Sequence, residues 1–194
     1  MAVAADVAIE ADVLRLFGTV DAQLGRVTAL VNNAGIPERH MRVEEMDAGR
    51  LSQVLAANVI GSFLCAREAV KRMSTRHGGQ GGVIVNLSSA AARLGSPGWY
   101  VDYAASKGAI DAFTIGLAKE VAAEGIRVNG VRPGLIDTEI HAFRPAGQLD
   151  QMVRAVPMGR IGTPEEMARS IVWLADGDES SYVTATLVDA RGGY

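Results

Sequence analysis

The sequence is poor in several things that would each announce a function. It has one cysteine, Cys65, so no intramolecular disulfide framework is possible. Cys65 lies in the apolar helical context Phe63-Leu64-Cys65-Ala66, which reads as a buried, inert thiol rather than a nucleophile. No apolar run approaches the roughly 18 residues that a membrane-spanning helix needs. The N-terminus lacks a basic segment followed by an apolar core, so no signal peptide is read and the cytoplasm is the default location. The net charge is −3, which argues against nucleic acid or an anionic membrane as a main partner. His40, His77 and His141 are scattered without metal-ligand spacing, and each reads as a surface histidine. Gly78 to Gly82 is rich in glycine, but no Lys-Ser or Lys-Thr follows it, so it reads as a connecting turn rather than a phosphate loop.

What is present is the composition of one ordinary globular domain spanning residues 1–194. Hydrophobic residues make up 48% and charged residues 21% of the 194. Strand-like and helix-like segments alternate. Met1 to Ala5, Val27 to Val31, Val83 to Leu87, Ile126 to Val131 and Thr186 to Val188 are short apolar runs of the kind that form buried parallel strands. Between the first two, Val13, Phe17, Val20 and Leu24 form one helical stripe, with Asp12 able to cap its start and Gly25 its end. A helix from about Asp47 to Ala57 leads into a second one with Phe63, Ala66, Val70 and Met73 on a stripe. Thr163 caps a later helix that opens on Pro164, Glu165 and Glu166, with Ala168, Ile171, Val172 and Leu174 expected to face the core.

Chemistry concentrates at Tyr103-Ala104-Ala105-Ser106-Lys107. Four residues are one helical turn, so a phenol and an ammonium share a face. An ammonium near a phenol favours the phenolate and lowers the tyrosine pKa, which makes a proton donor and acceptor usable near neutral pH. Alone, so short a pattern reads as an exposed helix pair without chemistry. Its company is what matters: Asn32-Asn33-Ala34-Gly35 closes one strand, Ser88-Ser89 another and Pro133-Gly134 a third, with Asn58 on a helical segment between. In open α/β sheets, ligands bind outside the carboxyl ends of the strands.

Taken in order, these motifs resemble the short-chain dehydrogenase/reductase family over nearly the whole chain. The likeness is strongest to its sugar dehydrogenases of the glucose 1-dehydrogenase kind and its 3-oxoacyl carrier-protein reductases. The resemblance implies an α/β fold, a Rossmann-like doubly wound parallel sheet, and hydride transfer between NAD or NADP and an alcohol or carbonyl on a small-molecule substrate. It implies that Tyr103 exchanges the substrate proton and that Ser89 holds the substrate oxygen, with Ser88 as the rival serine. Lys107 would bind the nicotinamide ribose, and Asn58 would hold a water that continues the proton path. Asp6 and Val7 would lie beside the adenine. Asn32, Asn33, Ala34 and Gly35 would line the cofactor, and Pro133, Gly134, Ile136 and Thr138 would contact the nicotinamide and phosphate. Glu139 to Gly162 would be a substrate-side lid. Ser89 stands 14 positions before Tyr103, one more than the family habit, which places an inserted residue within Arg93 to Asp102. Tyr100 is a decoy, because Ala104 and not a lysine follows it at the fourth position. The Tyr103 helix and the Phe63–Met73 helix are expected to pair in a homodimer or homotetramer.

The family pattern's opening glycine-rich turn, which holds the pyrophosphate, has no match before Asn32. Met1 stands where the family's third strand begins, so the expectation is a fold lacking its first two strands and helices, on the order of 50 residues. The segment that separates NAD from NADP is absent with them. The competing expectation is an inactive fragment or partner subunit without cofactor binding of its own. In either case Met1–Ala5 should fray or move beside Val27–Val31, which is left as an apolar edge.

Overall fold

A computed structural model describes residues 1–139 and 147–194. Its elements, in chain order, are α1 (Glu10–Leu24), β1 (Ala29–Asn32), α2 (Ala48–Leu55), α3 (Gly61–Met73), β2 (Gly82–Leu87), α4 (Ala91–Leu94), α5 (Val101–Val121), β3 (Ile126–Pro133), α6 (Gln148–Arg154), α7 (Pro164–Ala175) and β4 (Leu187–Ala190). The strands form one sheet in the order β1-β2-β3-β4, and every pairing is parallel. Each crossover carries a helix, as parallel connections require.

Alternation along the strands divides the core in two. On one face Ile84, Ile126 and Val128 pack with Val13 and Phe17 of α1, Ala66, Ala69 and Met73 of α3, and Ala118 and Val121 of α5. On the other, Val83, Val85, Leu87 and Val131 pack with Leu174 of α7. Helices on both faces of a parallel sheet make this the doubly wound α/β architecture.

Helix starts follow local chemistry. Asp47 caps α2 by accepting from the Arg50 amide at 2.8 Å. Thr163 and Glu166 form a reciprocal capping box on α7, with Pro164 at its first position. Gly81 has φ +83° and a Cβ there would meet the Gly125 carbonyl oxygen at 2.4 Å, so the approach to β2 requires glycine.

Several expectations are corrected. Met1–Ala5, read as an apolar strand, forms none, and the expectation that it would fray is met: residues 1–6 are irregular, and the sheet begins at β1. Pairing makes a strand, and the neighbour that an apolar run at this position would need is not among the described residues. Asp12 lies inside the first turn of α1 rather than at its cap, where it accepts from the Asp6 amide and pairs with Arg15. Phe63 does not join the core stripe of α3; it is 49% exposed and stacks on Phe113 of α5, ring centres 3.9 Å apart. Val172 and Ala168 lie on the outer side of α7, while Leu174 is fully buried and Ile171 partly so. The α7 stripe is narrower than its apolar composition suggests: Leu174 and Ile171 meet the sheet, at β2, β3 and β4, while Ala168 and Val172 face away.

Candidate active site

The carboxyl ends of β1, β2 and β3 bring three loops to one end of the sheet, and α5 runs beneath them. Strand β1 ends in Asn32. Its side-chain amide donates to Asn86 Oδ1 at 2.9 Å, and Asn86 in turn donates to Thr114 Oγ1 at 3.0 Å. Asn32 is therefore buried in a polar chain that joins β1, β2 and α5, not turned toward a ligand. Asn33, Ala34 and Gly35 follow it at the surface.

Asn58 sits in a five-residue π turn, Ala56–Ile60, between α2 and α3. Such turns are frequent at functional sites. The side chain is buried and spent. Its Oδ1 accepts from the Ile36 amide at 2.7 Å, and Nδ2 donates to the Ile36 carbonyl and to Ser106 Oγ, each at 3.0 Å. Asn58 thus holds the loop after Gly35 against α5. A Cβ on Gly35 would lie 3.2 Å from Asn58 Oδ1 and 3.4 Å from Lys107 Nζ, so the glycine backbone packs closely over the buried lysine.

The two serines after β2 diverge. Ser88 is buried, and its hydroxyl reaches Asp111 Oδ1 at 2.6 Å. Ser89 accepts from the Ala91 amide at 3.1 Å, and it is the side chain that tempers the rise of the Tyr103 phenol. The turn between α4 and α5 carries Gly95, Ser96 and Gly98 with positive φ; Ser96, at +46°, is one of two non-glycine residues so placed among the described ones. This turn lies inside the stretch where the extra residue was expected, and it sets Trp99 and Tyr100 beside the site.

Burial pushes the Tyr103 phenol up; the Ser89 side chain works the other way, and the neighbouring Tyr100 adds to the rise. The expected lowering by Lys107 is absent in this arrangement. The lysine donates to the Leu87 carbonyl at 2.6 Å and stands 5.7 Å from the centre of the Tyr103 ring. Burial lowers its own pKa to about 8, with Asp111 opposing. Desolvation is the largest influence on both groups.

Asp6 forms a turn: its carboxylate accepts from the Ala8 amide at 2.9 Å and its carbonyl from Ile9 at 3.0 Å. This is the turn-forming role open to an acid at that point. Val7 packs on Gly61, where a Cβ would come within 2.7 Å of Val7 Cγ2. Pro133 ends β3, and Gly134 donates to the Ala190 carbonyl at 3.0 Å. Ile136 bridges to Gly162 and is buried, while Thr138 is exposed. His141 and part of the Glu139–Gly162 segment lie outside the described residues.

The sequence reading missed one cluster. His40 is not a plain surface histidine: its ring lies 4.1 Å from that of Trp99, and its Nε2 is 2.5 Å from the Tyr100 hydroxyl. Tyr100 is edge-on to Tyr103 at 6.4 Å. Beneath them Arg50 and Asp102 form a buried ion pair at 2.7 Å, and Arg50 also holds the Arg39 carbonyl. The aromatic density of Trp99-Tyr100 was a usable signal; the partnership with His40 depends on loop geometry. Among the described residues no group of three His, Cys, Asp or Glu could hold a metal, and no helix is long and apolar enough to cross a membrane.

The family model described as enoyl-(acyl carrier protein) reductase matches residues 1–194. The chain is 54% identical over 190 residues to an uncharacterized oxidoreductase, YgfF, of Escherichia coli strain K12, covering 97% of this chain and 76% of that protein. It is 39% identical over 201 residues to a glucose and ribitol dehydrogenase homolog of rice, Oryza sativa subsp. japonica, covering all of this chain and 65% of the relative. It is 38% identical over 172 residues to the 3-oxoacyl-[acyl-carrier-protein] reductase FabG of Chlamydia muridarum, covering 89% of this chain and 67% of that protein.

Proposed function

The chain belongs to the short-chain dehydrogenase/reductase family, a family of NAD(P)-dependent oxidoreductases, and from that premise we propose that it transfers a hydride between NAD or NADP and an alcohol or carbonyl of sugar, polyol or 3-oxoacyl type. The observation that carries this reading is the convergence of Tyr103, with Ser89 acting on its phenol, and buried Lys107 on one end of α5.

The residues present suit the nicotinamide half of the cofactor. Gly35 places side-chain-free backbone next to Lys107, where a ribose could approach the lysine, and the turn from Pro133 to Thr138 lies at the end of the neighbouring strand. When bound, the nicotinamide supplies or accepts the hydride. Tyr103 Oη holds or takes the proton of the substrate oxygen, and Ser89 Oγ orients that oxygen by hydrogen bonding. Lys107, once drawn from the Leu87 carbonyl toward the ribose, favours the phenolate and offsets the burial that raises Tyr103. Asn58 keeps the loop after Gly35 in register with α5. The His40–Tyr100 pair borders the substrate side.

A second reading, a chain that does not hold the dinucleotide by itself, is favoured by one observation. Among the described residues no turn from a strand into a helix carries closely spaced glycines, so a built pyrophosphate cradle is missing. The deciding experiment is titration with NADH and NADPH by nicotinamide fluorescence, followed by turnover with aldoses, polyols and 3-oxoacyl thioesters. Micromolar binding and turnover lost in Tyr103→Phe support the enzyme; no binding by a folded chain supports the second reading.

For assembly we infer a homodimer or homotetramer built on α3 and α5. Phe63 on α3 and Ile115 on α5, with Ile60 just before α3, leave apolar surface exposed. Light scattering at micromolar concentration tests it, and a monomer would sink it.

A further inference from the structure

Tyr103, Lys107 and Asp111 are spaced by four on α5, and the last of them is the least expected. Asp111 Oδ1 takes the Ser88 hydroxyl at 2.6 Å, and Ser88 Oγ also lies 3.1 Å from the Lys107 carbonyl; its single hydrogen goes to the carboxylate. Asp111 Oδ2 accepts from Arg132 Nε at 2.9 Å. Arg132 is buried and reaches on to Asp189 of β4 at 3.4 Å, an acid it shares with Arg191 at 3.6 Å. One carboxylate therefore joins three site-bearing segments: Ser88 precedes Ser89, Arg132 precedes Pro133-Gly134, and Lys107 is one turn along the helix.

We propose that Asp111 is a positioning residue for Lys107: held by Ser88 and Arg132, its carboxylate sets how much of the buried lysine is charged and keeps the ends of β2 and β3 in register beneath it. The groups that face Lys107 leave this task to Asp111. From β2 the lysine meets the neutral Leu87 carbonyl, from the loops the amide of Asn58 and the backbone of Gly35, and from its own helix the phenol of Tyr103. Asp111 is the opposite charge that acts on it, and it is the influence that resists the downward push of burial. Arg132 counts in the other direction, because it neutralises Asp111. The consequence for catalysis rests on the proposed function; the electrostatic claim does not.

The chain has three lysines, Lys71, Lys107 and Lys119, so 13Cε-lysine labelling resolves the Lys107 titration without cofactor or substrate. Asp111→Asn should lower the Lys107 midpoint by about half to one unit. Arg132→Gln should raise it, because the carboxylate is then uncompensated, and Asp111→Glu should keep it near the wild-type value. Opposite shifts from two changes that cut the same ion pair mark a charge effect; loosened packing would move both the same way. Equal shifts, or none, would overturn the proposal. If the variants fail to fold, the wild type decides: the Asp111 13Cγ resonance should inflect at the Lys107 midpoint, and a flat response there would overturn it. A chain that binds no NAD(P) but shows the opposed shifts would sink the proposed function and leave this inference standing.

Discussion

Lys107 directs its ammonium to the Leu87 carbonyl at 2.6 Å while its Nζ stays 5.7 Å from the centre of the Tyr103 ring. The lysine is stored on a main-chain oxygen, deep enough that burial lowers its pKa from 10.5 to about 8. A depressed lysine means that the unfolded chain binds more protons between pH 8 and 10.5, so this group makes stability rise with pH across that window. Below pH 8 the folded state must carry a buried charge at full cost, about 3 kcal/mol by the size of the shift. Lys107→Met removes that cost and leaves one carbonyl without its donor, worth about 1 kcal/mol. Urea denaturation should find the variant about 1–2 kcal/mol more stable at pH 7, with a flatter stability profile between pH 8 and 10. A less stable Lys107→Met at pH 7 would show that the lysine is not a stored strain.

Tyr103 and Tyr100 should separate in kinetics. Ser89 acts on the Tyr103 phenol, whereas Tyr100 is tied to His40. Tyr103→Phe should reduce kcat by at least about a hundredfold, the usual weight of a general acid or base. Tyr100→Phe should retain most of kcat and raise KM severalfold. Steady-state kinetics with any substrate that turns over will tell them apart, and equal losses of kcat would refute the division of roles.

The strands β1 to β3 were legible because parallel strands buried on both faces read as plain apolar runs, and the α7 cap because its chemistry is local. Met1–Ala5 misled for the same reason: an apolar pentapeptide looks like a strand whether or not a neighbour exists to pair with it. Phe63 misled because helical periodicity reports a shared face but not what that face meets. In the site, the positions of Tyr103, Lys107 and Ser89 could be read from motif spacing, and Asp111 could have been, since it extends the same four-residue spacing. Asn32 and Asn58 could be located but not interpreted, since their amides are committed by partners 54, 22 and 48 residues away in sequence. His40 with Tyr100 needed the loop geometry itself.

Arg50 and Asp102 should be a structural keystone. Their side chains are 8% and 3% exposed, and Arg50 also holds the Arg39 carbonyl, so the pair ties α2 and the loop before it to the first turn of the Tyr103 helix. Removing one member leaves the other charged and buried, which typically costs about 3–5 kcal/mol. Asp102→Asn and Arg50→Met should each lower the unfolding free energy, read from urea denaturation, by that much. The double variant should recover part of the loss, since it leaves no orphan charge. An additive double variant would mean that the two groups act independently.

The edge of the sheet should govern solubility. Strand β1 pairs with β2 on one side, and among the described residues nothing pairs with its other side. Val31 aligns with Val85, which is fully buried under α7, yet Val31 itself is 42% exposed because α7 covers β2 and β3 and stops short of β1. A flat apolar edge with free amides and carbonyls is a template for pairing with another chain, and a charge placed on it opposes that pairing. Val31→Lys should therefore raise the concentration at which light scattering detects large aggregates, while circular dichroism stays unchanged. Its side chain is already near solvent, so stability should change by less than about 0.5 kcal/mol. The edge would be acquitted by unchanged aggregation in a well-folded Val31→Lys. A loss of several kcal/mol would instead mean that another part of the protein covers Val31 in solution.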